Sequence, residues 1–495
     1  MRPLLFAALL SLGCAHAWPP PIEGWRELDS AHFRLRTDLP EDSARRTLEK
    51  LETLRWLLQA AWSTGGDSPG TTQAIVLDQP AELRTFTEVM GLATTTRGGA
   101  LIVTAGAVFR FGDRSPGVHV LAHEIAHDLI RRRMPGAPRW FHEGLAGWLQ
   151  TVVPLDDHRV RFGFEFAGGD PEKLSLTSST LLVPSRLLSL DETAFRNWET
   201  ASEAELTDLY LSARLWVSIL RTEEPQRMRA LESALANGTS WHRAWADLRR
   251  GIDVPRLQGK ILRSLQTGWT PEVRAVSPIP SSVTRAASDR VLPPWEVHLC
   301  FADLWAMAAR TRGGEALAAN VKSELEAAAA AAPDEPLPQV RLADLESDRD
   351  LRRARAEALV QRFPGSADAR VFLARVLRDD GGSLEGRETA AIAAVRAAPD
   401  NVDALTAYAI EVLRSGNSES ALRSVARAEE LEPWNPSIFV ARALVLGAIG
   451  RCDDAADSMR RALDVLPDDP PAADVRTLIR ERERIVQACR SRPVP

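Results

Sequence analysis

His123-Glu124-Ile125-Ala126-His127 sets two imidazoles four residues apart with a carboxylate between them. On a helix that spacing puts both rings on one face, one turn apart, so that both can reach one cation. Glu124 projects beside them, where its carboxylate can take a proton from a water that attacks a carbonyl. Val118, Leu121, Ala122, Ile125, Ala126 and Leu129 make the segment a largely buried helix. The HExxH pattern alone arises by chance in about 1% of chains of this composition. Many chance matches would fall in loops or on the surface, which this one does not.

A catalytic zinc needs a third protein ligand and one open position. Trp140-Phe141-His142-Glu143-Gly144-Leu145-Ala146 follows, with Glu143 sixteen residues after His127. Two antiparallel helices joined by the Pro135 to Pro138 turn can bring Glu143 opposite the histidine pair. HExxH followed by W-x-x-E-G-x-A resembles the gluzincin metallopeptidases, and more closely their peptidase-MA-like group. The resemblance covers roughly residues 25–265. It implies an α+β zincin-like domain with one Zn2+ per chain, held by His123, His127 and Glu143, with Glu124 as general base. It also implies that Ala100 to Thr104 is an edge strand over the zinc, pairing with an extended peptide substrate.

This sequence departs from the family's pattern in places. Thermolysin-like relatives carry an Asp four residues after the third ligand to orient a histidine; here that position is Gly147, so the support must come from elsewhere. Related sequences often carry a Tyr shortly after E-G-x-A, where this chain has Trp148. Tyr210 falls where similar sequences carry a downstream tyrosine helix. It is a candidate to stabilise the oxyanion, the plainer reading being a ring packed in a helix interface. His142 projects roughly 100° from Glu143 around the helix and is not expected to share the metal. His119, one turn before His123, either supports the site or packs as an ordinary histidine. His32, His158, His242 and His298 show no ligand spacing and read as structural.

The elements that must position these groups follow from periodicity. His32 to Thr37 alternates like a strand, and Pro40 to Trp62 carries Leu48, Leu51, Leu54, Leu58 and Trp62 on one helical face. Strands are expected at Ala74 to Leu77 and Ala100 to Thr104. Helices are expected at Pro80 to Met90, from Ser115-Pro116 to Arg133, and from Pro138 to about Val153. The chain is again helical from Ser202 to about Gly268. Glycine loops at Gly65 to Gly70 and Gly163 to Gly169 are candidates to flank the cleft.

Residues 277–294 carry four Pro and four Ser, a linker composition. Beyond it Pro399, Pro433 and Pro467 recur every 34 residues, as do Gly416 and Gly450, and Ala394, Ala428 and Ala462. A 34-residue period with Gly at a helix turn and small Ala at the helix crossing resembles the tetratricopeptide repeat. Arg387 stands where one crossing Ala is expected, and the earlier units are degenerate. Asp474 to Cys489 reads as a capping helix.

The expected organisation is a signal segment at 1–17, a gluzincin-like domain at 18–275, a linker at 276–294 and an all-α repeat solenoid at 295–490. Met1-Arg2 followed by Leu4 to Gly13 fits a secretory signal, too short to span a bilayer. Ala15-His16-Ala17 offers a cleavage site that releases a soluble chain from Trp18. Ser11-Leu12-Gly13-Cys14 instead resembles a bacterial lipobox, which would lipidate Cys14 and anchor a periplasmic or outer-membrane lipoprotein. A buried N-terminal helix is the third reading. Cys452 and Cys489 are positioned to bridge the last repeat to its cap, or to remain free thiols.

A net charge of −6 gives no basic surplus and no reason to propose a nucleic-acid partner. Hydrophobic residues at 45% and charged residues at 26% exclude wholesale disorder. Two functions compete. One is an exported zinc metallopeptidase that cleaves a peptide or protein substrate, with repeats recruiting a protein partner. The other is an inactive, zinc-stabilised scaffold whose repeats bind partners. All four HExxH…E residues are present, and Glu124 is the one that metal binding alone would not require.

Overall fold

The computed structural model describes residues 22–62, 70–87, 91–96, 99–106, 116–155, 159–163, 181–183, 186–187, 203–267, 271–312, 314–380, 382–465 and 472–491. The expected signal segment with Cys14, His158 and most of the two glycine loops lie outside them. Among the described residues no helix is long and apolar enough to cross a membrane.

The N-terminal half is built on a six-stranded mixed sheet, ordered β4-β5-β3-β2-β1-β9. Its strands are β1 (Arg26–Asp29), β2 (Phe33–Thr37), β3 (Thr72–Leu77), β4 (Gly91–Thr96), β5 (Gly99–Ala105) and β9 (Ser288–Val291). β2, β3 and β5 run parallel, while β4, β1 and β9 are antiparallel to their neighbours. Helix α1 (Glu41–Trp62) makes the crossover from β2 to β3, and α2 (Pro80–Phe86) follows β3. A three-stranded antiparallel sheet joins β6 (Val153–Leu155), β7 (Arg159–Phe162) and β8 (Glu272–Ala275).

Alternation along the central strands gives the large sheet two apolar faces. Ala74, Val76 and Ile102 face a core shared with α1, α3 (Pro116–Arg133) and α4 (Arg139–Leu149). Ile75, Leu77, Leu101 and Val103 face the opposite side. Both sides must be covered, as parallel strands generally require. The first side is closed further by α5 (Glu203–Glu223), α6 (Pro225–Ala236), α7 (Trp241–Arg249) and α8 (Val254–Thr267). The second is closed by α2 and by the helix that follows β9.

The segment read as a Pro/Ser linker is therefore not a loose tether. It holds the short helix α9 (Ser281–Thr284) and strand β9, which pairs with β1 along the sheet edge, and β8 just precedes it in the small sheet. Composition misled because an edge strand tolerates polar residues and neighbouring prolines. Helix α10 (Pro294–Arg312) then brings Val297, Phe301, Leu304 and Trp305 against the sheet, with Trp25 edge-on to Phe301 and Phe86 edge-on to Trp305.

The same α10 pairs with α11 (Glu315–Ala331) to start the helical stack. Four further pairs follow: α12 (Pro336–Asp344) with α13 (Arg349–Arg362), α14 (Ala367–Asp380) with α15 (Leu384–Ala397), α16 (Val402–Arg414) with α17 (Ser418–Leu431), and α18 (Pro436–Ala448) with α19 (Cys452–Asp464). Helix α20 (Ala472–Arg490) closes the stack and is tied to α19 by a Cys452–Cys489 disulfide. Asn401, Asn417 and Asn435 cap their helices by accepting a backbone N–H, which fixes where each begins. Gly416 turns the chain between α16 and α17 at φ +87°, where a Cβ would be strained. The repeat also shows in its hydrogen bonds. Ser424 donates to the Leu405 carbonyl, and 34 residues later Ser458 donates to that of Phe439.

Candidate metal centre

α3 and α4 are antiparallel neighbours joined by the tight turn at Met134 to Pro138, so residues early on one face those late on the other. His119, His123 and His127 follow one another down α3, and Gln150 and Glu143 meet them from the α4 side. His119 Nδ1 lies 2.7 Å from the Gln150 carbonyl at one end. At the other, Glu143 Oε2 lies 3.1 Å from His123 Nε2 and 3.5 Å from His127 Nε2. The two Nε2 atoms are 3.0 Å apart. Among the described residues these three form the group able to hold a metal ion, their ligand atoms lying within 4.8 Å of one another.

The donor set fits zinc. Ligands at roughly 2.0–2.1 Å from a tetrahedral ion stand about 3.3 Å from one another. The observed edges of 3.0, 3.1 and 3.5 Å describe one face of such a tetrahedron. Two imidazole nitrogens and one carboxylate oxygen make the ligand count of a catalytic rather than a structural zinc.

The fold forces this geometry through close helix contact. α4 is buried on every side from Trp140 to Leu149. A Cβ on Gly144 would come within 2.4 Å of the Ala213 carbonyl oxygen on α5, so only glycine lets the two backbones meet. Gly147 receives the aliphatic part of Arg214, whose Cδ would lie 3.3 Å from a Cβ placed there. Burial pulls the Arg214 guanidinium down to about 10. Trp140 packs edge-on against Phe141 and Trp245 and anchors the start of α4.

Burial would raise the Glu143 carboxyl, but the Arg139 charge, then His127 and His123, hold it well below the ordinary range. Burial likewise opposes a charge on His123, while the hydrogen bond and charge of Glu143, and then Glu124, raise its pKa above the ordinary value. Glu124 is half-buried next to His123. Tyr210 is half-buried, its ring against the main core, one turn before Ala213 and Arg214 on the side of α5 that meets α4.

Two supporting residues escaped the sequence reading. Gln150, seven residues beyond Glu143, adds to what keeps the charged form of His123 favoured, and that helical spacing could have flagged it. Arg139 reaches Glu143 from four residues before it, with Nη2 2.6 Å from Oε1. His142, buried, lies outside the ligand set and stacks on His127 with ring centres 6.1 Å apart. Asp128, next to His127, accepts from Thr72 Oγ1 at 2.6 Å and from Arg132 at 2.9 Å, pinning the helix to β3.

One expectation is corrected. The strand at Ala100 to Thr104 is not the sheet edge: β5 is paired on both sides, by β3 and by β4. Among the described residues the edge on this side of the sheet is β4, antiparallel and packed beside α3. Its Gly-Leu-Ala-Thr-Thr-Thr sequence lacks the apolar run that made β5 legible.

No family model matches the chain, and no curated protein matches it. Among solved structures it is similar to TTC0263, a thermophilic TPR protein of Thermus thermophilus. The identity is 20%, over 39% of this chain and 98% of that one, with a TM-score of 0.29. It is also similar to yeast Tom70 at 12% identity, over 92% of this chain and 82% of that one, with a TM-score of 0.30. At TM-scores this low neither likeness bears on what the chain does.

Proposed function

We propose that the chain is an exported zinc-dependent peptidase whose helical repeats recruit a protein. The observation that carries this reading is the convergence of His123 Nε2, His127 Nε2 and Glu143 Oε2 on one point, with Glu124 beside them. Bound zinc would supply Lewis acidity, polarising a carbonyl and lowering the pKa of water towards ~7. Glu124 accepts the proton of the attacking water as the new C–O bond forms and returns it to the leaving amine as the C–N bond breaks. The outer side of β4, an edge among the described residues, offers its backbone N–H and C=O groups to an extended peptide, which would lie along α3 as an added strand. Tyr210 is the proposed donor to the developing oxyanion. Export is supported by the Cys452–Cys489 disulfide, which persists in an oxidising compartment. Lipidation of Cys14 is proposed as the membrane anchor.

A second reading keeps the zinc but drops the chemistry. Five stacked helix pairs and a cap occupy residues 294–490, an extended surface of the kind that binds proteins. A scaffold would need the metal only for stability. Glu124→Gln separates the two: a peptidase keeps its zinc and loses peptide hydrolysis. Equal cleavage by parent and variant would remove the mechanism, and a zinc-free parent would remove both readings.

A further inference from the structure

The two oxygens of Glu143 have different neighbours. Oε2 faces both histidines, while Oε1 is held by Arg139 at 2.6 Å, one helical turn back on α4. The carboxylate side chain is 2% exposed and the arginine 18%, so the pair is shielded and its geometry is held by packing. Trp140, the next residue, is wedged against Phe141 and Trp245 and fixes the turn that carries Arg139.

A glutamate ligand with both oxygens available can grip a metal through one or both. Gripping through both fills a position that a catalytic site must keep open. A neighbour that occupies one oxygen removes that choice. We propose that Arg139 is a positioning residue that commits Glu143 to bind the metal through Oε2 alone, keeping the remaining coordination position open. The inference rests on the metal-centre reading above. Nothing in the HExxH or E-G-x-A pattern requires an arginine four residues before the third ligand; this chain supplies it.

Cobalt(II) alone is the probe, added to the metal-stripped mature chain, to Arg139→Leu and to Arg139→Lys, with visible absorption as the readout. Four-coordinate cobalt gives intense bands and five-coordinate cobalt weak ones. The parent and the Lys variant are expected to show the intense spectrum. The Leu variant is expected to shift to the weak one, with loss of any hydrolysis the parent shows. An unchanged spectrum in a folded Arg139→Leu protein would overturn the role of Arg139. Should that variant fail to fold, X-ray absorption on the zinc-loaded parent decides: a two-oxygen carboxylate overturns the proposal and a one-oxygen carboxylate supports it. A parent that binds no metal overturns the metal centre itself, a distinct failure.

Discussion

The guanidinium of Arg132, near the end of α3, stacks 4.8 Å from the centre of the Trp434 ring in the turn between α17 and α18. Arg132 also holds Asp128, the residue after His127, and the Thr71 carbonyl. The repeat stack thus returns to touch the helix that carries the histidines. Gly238 and Arg461 make a second contact between the halves, at 3.1 Å from a Cβ position. Trp434→Ala is expected to weaken this junction by roughly 3–5 kcal/mol, as for a buried aromatic, part of it cation–π attraction. Calorimetry should show one transition in the parent and two in the variant. A single unshifted transition would mean that the junction carries no stability.

Gly144→Ala is expected to destabilise the protein by about 1–3 kcal/mol and to reduce its zinc content, because the new methyl meets the Ala213 carbonyl at 2.4 Å and displaces Glu143. Gly147→Ala is the control. Its neighbour is a flexible arginine stem at 3.3 Å, so melting temperature and zinc should barely change. Identical behaviour of the two variants would show that the α4–α5 contact does not set the ligand position.

Glu82 on α2 is held at a carboxyl pKa of about 7, first by burial and then by the Asp38 charge. Its ordinary value is 4.5, so between these the folded chain keeps a proton that the unfolded chain has released. Stability contributed by this group therefore falls as pH rises through that window. Glu82→Gln should raise the melting temperature relative to the parent at pH 8 and change it little at pH 5. An equal shift at both values would exclude the titration of Glu82 as the cause.

The bridge between Cys452 and Cys489 closes a segment with a sequence separation of 37. On loop entropy it stabilises the end of the stack by about 4 kcal/mol at most. Cys452→Ser should therefore lower the melting of the repeats while leaving zinc content at the parental level. Loss of zinc in that variant would contradict the separation of the two effects.

The helices and the ligand candidates were legible because each rests on local spacing. The leucine face of α1 and the histidines of α3 repeat within a few turns, and the prolines of the stack recur at a fixed 34-residue period. β4 and β9 were not legible. Their strand character comes from pairing with β5 and β1, not from their own polar residues. Arg387 looked like a defect in the repeat. In the structure it lies 3.4 Å from the Glu411 carboxylate, which is 3% exposed, so a buried ion pair replaces the small-residue crossing. Arg139 was invisible for a similar reason: an arginine one turn from a glutamate is an ordinary helix pair until the glutamate has a second task.

Helix α10 is one wall with a room on each side. Its Phe301 and Trp305 seal the sheet, and its pairing with α11 starts the stack. A gene fragment ending at the apparent linker would leave Ile75, Leu77 and Val103 facing water, and one beginning there would carry those aromatics bare. A cut that leaves both halves covered must therefore lie beyond α10, which belongs to the sheet's core as much as to the stack.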